Sequence, residues 1–187
     1  MNQPAPELLE IVLYPDPSLT KKCRAVTPEE IKAGKADKWD LAELSARMHA
    51  TMYAAEGIGL AAPQVGVGLR IFCADISKDK SGAFTILNPV LSEMRGSIVE
   101  EEGCLSIPRV RAKVKRFSYL KIDGVDLKGQ PISFEADDLL ARVCQHEMDH
   151  LDGILFINKI GMTARLLARK QLIELEEDYQ LAQKRKK

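Results

Sequence analysis

Residues 144–153 read "CQHEMDHLDG", with His146 and His150 four positions apart and Glu147 directly after the first of them. On a helix, residues i and i+4 project from adjacent turns of one face, so two such imidazoles can share one divalent ion. The glutamate lies near that ion without binding it and can act as a general base toward water. The same five residues also suit an ordinary helix whose histidines bond to backbone and whose glutamate pairs with a basic residue. Helical projection bears on the choice. At about 100° per residue, His146 and His150 fall within about 20° of Leu139, and Glu147 falls between Val143 and Leu140. Cys144, Met148 and Leu151 continue this apolar arc, while Asp138, Arg142, Gln145, Asp149 and Asp152 gather opposite. A carboxylate buried without a partner costs several kcal/mol or shifts its pKa strongly. A metal ion would account for its place in the arc.

A catalytic ion usually takes three protein ligands and keeps one position open. The remaining histidine, His49, sits in a different helical stretch and reads as an ordinary surface or core residue. The segment "EEGCLSIP", 101–108, offers Cys104 after a glycine at the end of an expected strand. A Cys/His/His set suits zinc or ferrous iron; the alternative is a small buried cysteine. The segment "GIGLAAPQVG", 57–66, has neither the Gly-Lys-Ser/Thr of a phosphate loop nor the third glycine of a dinucleotide fingerprint. It reads as a tight loop in which Gly57 and Gly59 permit close approach. The amide of Gln64 there is available to a developing oxyanion, unless the segment is only a structural turn.

The surrounding elements must position these groups. "VTPEEI" has the form of a capped helix start, with Thr27 as N-cap, Pro28 next and Glu30 closing a capping box. Residues 33–39 read as a surface loop. A helix is expected from about Asp40, with Leu41, Leu44, Met48 and Met52 as its apolar stripe and Gly57 as its stop. "LRIFCAD", "FTILNPVL", "GSIVEEEG" and "FSYLKIDGVD" read as strands, and "DLKGQ" as the hairpin tip leading into "PISFEA". Helices follow at about 136–151 and 163–183. The last carries a seam of Ala168, Leu172, Leu175, Tyr179 and Ala182 and ends in a basic tail, "KRKK". Strands set between helices predict an α+β fold with mainly antiparallel sheet around the metal-binding helix, in one domain spanning 1–187.

Lys and Arg number 27 and Asp and Glu 27, so no global field recruits DNA or an acidic substrate. No apolar run reaches the ~20 residues of a membrane span, and the N-terminus lacks a signal-peptide pattern. The scattered Cys23, Cys73, Cys104 and Cys144 form no CxxC and predict no disulfide framework. A cytoplasmic setting is expected.

"GIGLAAPQ", "EGCLS" and "QHEMDH" together resemble, in order and spacing, the three signature motifs of the peptide deformylases, and "LYPDPSL" resembles that family's N-terminal stretch. The likeness covers about residues 9–160. It implies Cys104, His146 and His150 as ligands of one divalent metal, with Fe2+ native and Zn2+, Ni2+ or Co2+ able to replace it. It further implies Glu147 as acid/base, Gln64 and the Leu105 N–H as oxyanion donors, and Ile58, Gly59 and Gly103 as substrate-binding positions. The implied reaction removes the formyl group from the N-terminal methionine of nascent polypeptides and releases formate, with the C-terminal helix as a potential ribosome contact. Thr20 and Cys23 depart from the family's usual residues, and Arg142 stands near the expected pocket wall. Two rival readings remain: a peptidase sharing the H-E-x-x-H helix, and a non-catalytic metal-binding module.

Overall fold

The computed structural model describes residues 6–185. In chain order the helices are α1 (Pro28–Ala33), α2 (Leu41–Ala54), α3 (Asp138–Leu151) and α4 (Met162–Arg185). The strands are β1 (Lys35–Ala36), β2 (Trp39–Asp40), β3 (Gly59–Ala61), β4 (Ile71–Ala74), β5 (Phe84–Arg95), β6 (Ile98–Cys104), β7 (Ile107–Arg116), β8 (Tyr119–Val125) and β9 (Pro131–Asp137). Every pairing between these strands is antiparallel. β3-β4-β5-β8-β9 form one sheet, β6-β7 a second and β1-β2 a small third. This is the α+β architecture expected, with a C-terminal helix.

Local chemistry explains most boundaries. The Thr27 side chain accepts from the Glu30 N–H at 3.3 Å, and Glu30 returns the bond to the Thr27 N–H at 2.9 Å. Asp40 caps α2 by accepting from the N–H groups of Ala42 and Glu43. In the β8–β9 turn, Asp126 Oδ1 accepts from the N–H groups of Lys128 and Gln130, with Gly129 at φ +78°.

Several expectations need correction. The 33–39 stretch is not a plain loop but holds the β1–β2 hairpin, turned by Asp37 at φ +51°. Gly57 does not stop α2. The helix ends at Ala54, and Glu56 takes the left-handed φ of +55°. Gly57 matters for space instead, since a Cβ there would lie 2.8 Å from Leu105 Cδ1. The 57–66 segment is not all loop, because Gly59–Ala61 adds an edge strand to β4 before a 3₁₀ turn at Ala62–Val65. α3 starts two residues later than expected, at Asp138, because β9 continues to Asp137. The ten-residue strand β7 was not foreseen; its charged alternate residues hide a period-two pattern of Val110, Ala112 and Val114.

Three apolar clusters set the frame. Leu41, Leu44, Met48 and Met52 of α2 pack with Leu60, Ile71 and Leu87. Phe72, Ile86, Leu120 and Ile122 of the main sheet meet Ala141, Cys144 and Leu151 of α3. Val110 and Val114 of β7 meet Phe156 and the α4 residues Ala168, Leu172 and Leu175. α3 is therefore held between the five-stranded sheet and the β6–β7 hairpin. The α4 seam docks as far as Leu175. Tyr179 is half-buried, and Ala182 is exposed. Of the basic tail, Lys186 and Lys187 lie outside the described residues, as do residues 1–5. Cys23, Cys73 and Cys144 are free and buried, as expected.

Truncating Leu172 to Ala should cost about 2–3 kcal/mol, the low end for a buried leucine because a surface helix can resettle. Urea denaturation followed by circular dichroism measures it, and a loss under about 0.5 kcal/mol, the scale of a surface change, would mean that α4 is not docked through this seam.

Candidate active site

α3 presents His146, Glu147 and His150 to one side, and β6 ends beside them at Cys104. The register of the β6–β7 hairpin makes that approach. Pairing runs regularly from Ile98 opposite Arg116 to Gly103 opposite Arg111, then jumps so that Cys104 faces Ile107. This irregularity turns the chain at Leu105 and Ser106 and leaves the sulfur at the hairpin's tip. One donor atom each from Cys104, His146 and His150 lies within 4.8 Å of the others. Cys104 Sγ stands 3.2 Å from His150 Nε2. Sulfur and nitrogen ligands of one tetrahedral ion stand about 3.6 Å apart, given bond lengths near 2.3 and 2.0–2.1 Å. The three donors therefore fit a single metal ion.

The orientation of His146 supports that fit. His146 Nδ1 is 3.1 Å from Glu102 Oε2, which leaves Nε2 for the cluster. Burial works against the charged form of His146, but the neighbouring Cys104 and Glu102 outweigh it and raise its pKa to about 10. Burial, with the charges of His146 and Arg116, holds His150 well below its ordinary value, so its ring stays neutral.

Glu147 is 3% exposed. Burial raises its carboxyl to about 7, against the lowering charges of His146 and Arg116. Among the described residues, its Oε2 has no hydrogen-bond partner. A carboxyl titrating near neutrality beside a metal-ligand cluster can both take and return a proton. Gly59 makes room for it, since a Cβ there would fall on Glu147 Oε1 and 3.0 Å from Val143 Cγ1. Gln64 is fixed at both ends of its amide. Oε1 accepts from the Ala61 N–H at 2.9 Å, so Nε2 points to Ser106 Oγ at 3.2 Å and Cys104 Sγ at 3.4 Å.

Cys104, His146, Glu147, Gln64 and Glu102 line a cleft of about 460 Å³, within the range of small-ligand sites. Ile58, Gly59, Gly103 and Leu105 also border it. Leu139, near one edge of the apolar arc, is not core; it is 42% exposed at the cleft, as is Ile58. Arg142 stands at the wall, where it donates to the Glu101 carbonyl at 2.7 Å. His49 lies apart, 3.0 Å from Thr85 Oγ1.

Sequence reasoning missed the ion network behind the cluster. Arg116 is 4% exposed and grips both oxygens of Glu102, at 3.0 and 2.9 Å. It also pairs with Asp149 of α3, which in turn holds Lys159 at 2.9 Å. Burial pushes the Glu102 carboxyl up, but the hydrogen bonds and charges of His146 and Arg116 bring it down to about 2. The far side of α3 is thus largely withdrawn from water. Gln145 is buried and bridges the Phe117 backbone, and Asp152 pairs with Arg70 at 2.7 Å. A signal for Arg116 was present, because the alternation of Val110, Ala112 and Val114 places it on the inward face.

Residues 8–165 match the family model described as polypeptide deformylase. A peptide deformylase of Hydrogenovibrio crunogenus is 47% identical over 160 residues, covering 86% of this chain and 90% of that one. One from Thermodesulfovibrio yellowstonii is 44% identical over 166 residues, with coverage of 88% and 96%. The crystal structure of a peptide deformylase from Legionella pneumophila superposes with a TM-score of 0.81 at 35% identity, covering 91% of this chain and 96% of that one.

Replacing Arg116 by Met removes the guanidinium that grips both oxygens of Glu102, leaving it only the Arg142 Nε at 3.9 Å and the His146 ring, and should cost about 3–5 kcal/mol. The folded pKa of Glu102 lies below the ordinary 4.5, so its stabilisation is full above that value and is lost as pH falls toward about 2. Urea melts between pH 6 and pH 2 should show this acid-dependent loss in the wild type and a weaker one in Arg116→Met. Parallel curves would exclude the pair as its source.

Proposed function

The chain belongs to the polypeptide deformylase family, and from that premise we propose that its site hydrolyses the formyl amide of N-terminal formyl-methionine on nascent polypeptides, releasing formate. The observation that carries this reading is the convergence of Cys104, His146 and His150 within 4.8 Å, beside a carboxyl 3% exposed.

Cys104 Sγ and the two imidazoles would hold one divalent cation, and we take ferrous iron as its native identity, with zinc, nickel or cobalt as substitutes. When bound, the cation supplies Lewis acidity toward water and the formyl oxygen. The protein's residues then act as follows. Glu147 accepts a proton from the attacking water and returns it to the departing amine nitrogen, a double task suited to a carboxyl near pKa 7. Gln64 Nε2 donates toward the oxygen on which charge develops, and its orientation is set in advance by the Ala61 N–H on the other end of the amide. The Leu105 N–H is the second donor in this reading. Ile58, Gly59 and Gly103 border the cleft where the substrate's first residue would lie. A formyl hydrogen needs less room than an acetyl methyl, so the site discriminates by shape.

The closed metal module is the weaker reading. Only three donors cluster among the described residues, and a structural site usually closes with four. No helix among the described residues is long and apolar enough to cross a membrane. A cytoplasmic setting belongs to the proposal, as does a ribosome contact through α4, whose end carries the exposed Lys184 and Arg185.

The test is formate release from formyl-Met-Ala-Ser, with acetyl-Met-Ala-Ser as control. The formyl peptide should turn over and the acetyl peptide should not; internal cleavage of either would favour the peptidase. Glu147→Ala should keep its metal and lose at least about 10²-fold in turnover, the lower scale for a positioned acid/base. Turnover at the wild-type rate would remove Glu147 from its role. Cys104→Ser should bind metal far more weakly, read by chelator competition, and unchanged affinity would rule the sulfur out as a ligand.

A further inference from the structure

β7 alternates between two faces. Val110, Ala112, Val114 and Arg116 point inward, and Arg109, Arg111, Lys113 and Lys115 are exposed on the other side. The register places Gly103, Glu101 and Val99 of β6 opposite Arg111, Lys113 and Lys115. Residues paired across an antiparallel ladder share a face. Glu101 is therefore the one carboxylate that the two strands contribute to this face, and alternation sends Glu100 and Glu102 to the other. Glu101 meets Arg111 at 3.5 Å. Arg109 reaches only distant partners on α4, Glu174 at 4.0 Å and Asp178 at 3.8 Å. Among the described residues, Lys113 and Lys115 take part in no ion pair. The result is a row of four cations in which Arg109 and Arg111 have acidic neighbours and Lys113 and Lys115, among the described residues, have none, on a chain whose overall charge is zero.

The row is continuous with the cleft. Arg109 and Arg111 line its wall, and Arg111 lies opposite the residue that precedes Cys104. Lys115 lies opposite Val99, five residues before Cys104, or about 17 Å away at roughly 3.4 Å per residue. A peptide anchored in the cleft by its first residue must leave over one of the cleft's walls. Extended beside β7, it would repeat its side chains every ~6.8 Å on one face, which is also the ideal spacing of Arg111, Lys113 and Lys115 on the regular part of the strand; Arg109, at φ +67°, lies beyond the register break.

We propose that Arg109, Arg111, Lys113 and Lys115 form a docking track that selects substrates with acidic side chains in the segment following the formyl-methionine. This rests on the deformylase reading and adds to it a substrate class. The track acts on capture rather than on chemistry, because its outer members lie well away from the reacting atoms. Its effect is therefore expected in KM and must weaken with salt, since exposed charges are screened over about 10 Å at 0.1 M.

The experiment compares formate release from formyl-Met-Ala-Ala-Glu-Ala-Glu and formyl-Met-Ala-Ala-Lys-Ala-Lys, with formyl-Met-Ala-Ala as a neutral reference. At low ionic strength the acidic peptide should have the higher kcat/KM by about tenfold, the lower scale of electrostatic steering, through a lower KM. The gap should narrow in high salt. In Lys113→Glu/Lys115→Glu, two exposed positions outside the cleft wall, the preference should vanish or invert while the neutral tripeptide is unaffected. Equal kcat/KM for the two hexapeptides, or a preference that survives the double variant, would overturn the track. If the variant keeps the peptide preference but loses binding to a single-stranded RNA, the row serves phosphates and the proposal fails. Absence of formate from all three peptides would instead overturn the deformylase reading, and the track with it.

Discussion

One buried guanidinium ties the site together. Arg116 holds Glu102 on β6 and Asp149 on α3, and Glu102 in turn fixes the Nδ1 side of His146. The strand that ends in the sulfur and the helix that carries the imidazoles are thus joined by charge as well as by packing. Desolvating such ions costs several kcal/mol each, recovered only when every partner is in place. The network therefore tolerates little displacement of β6 against α3. That rigidity suits three donor atoms that must meet at a single point.

The same burial sets the proton chemistry. Glu147 and Glu102 are two carboxyls near one helix, yet burial raises the first to about 7 while hydrogen bonds and charges bring the second to about 2. The difference lies in partners. Glu102 has a guanidinium and an imidazole, whereas Glu147 Oε2 has no hydrogen bond among the described residues. One carboxylate is committed to structure and the other is left free to exchange a proton. Gly59 permits this by leaving Glu147 Oε1 a place against the backbone, where any larger residue would displace it.

Much of this was legible in the residue order. Polar groups inside the apolar arc of α3 marked His146, Glu147 and His150, the Thr27 cap marked one helix start that the structure reproduces, and a second helix begins beside Asp40, where it was expected. Legibility failed where a residue's role depends on a distant neighbour. Leu139 looks like core because a helical wheel cannot tell a cleft from an interior. Arg116 was overlooked because charged alternate residues obscured its strand, although the argument that singled out Glu147 applies equally to a cation on an inward face.

The sequence by itself determined the donor types, the helical spacing that puts two imidazoles and a carboxylate on one face, and the alternation that sends cations to one side of β7. These follow from local periods of about 3.6 and 2 residues, which any stretch of chain carries with it. The tertiary structure alone decided that Cys104 reaches His150 across 46 positions, that Gln64 turns its N–H toward that sulfur, and that Arg116 joins Glu102 to Asp149. Local periods say which way a side chain faces. What it meets there is set by strand register and by the packing of α3 between two sheets, and those are properties of the whole fold.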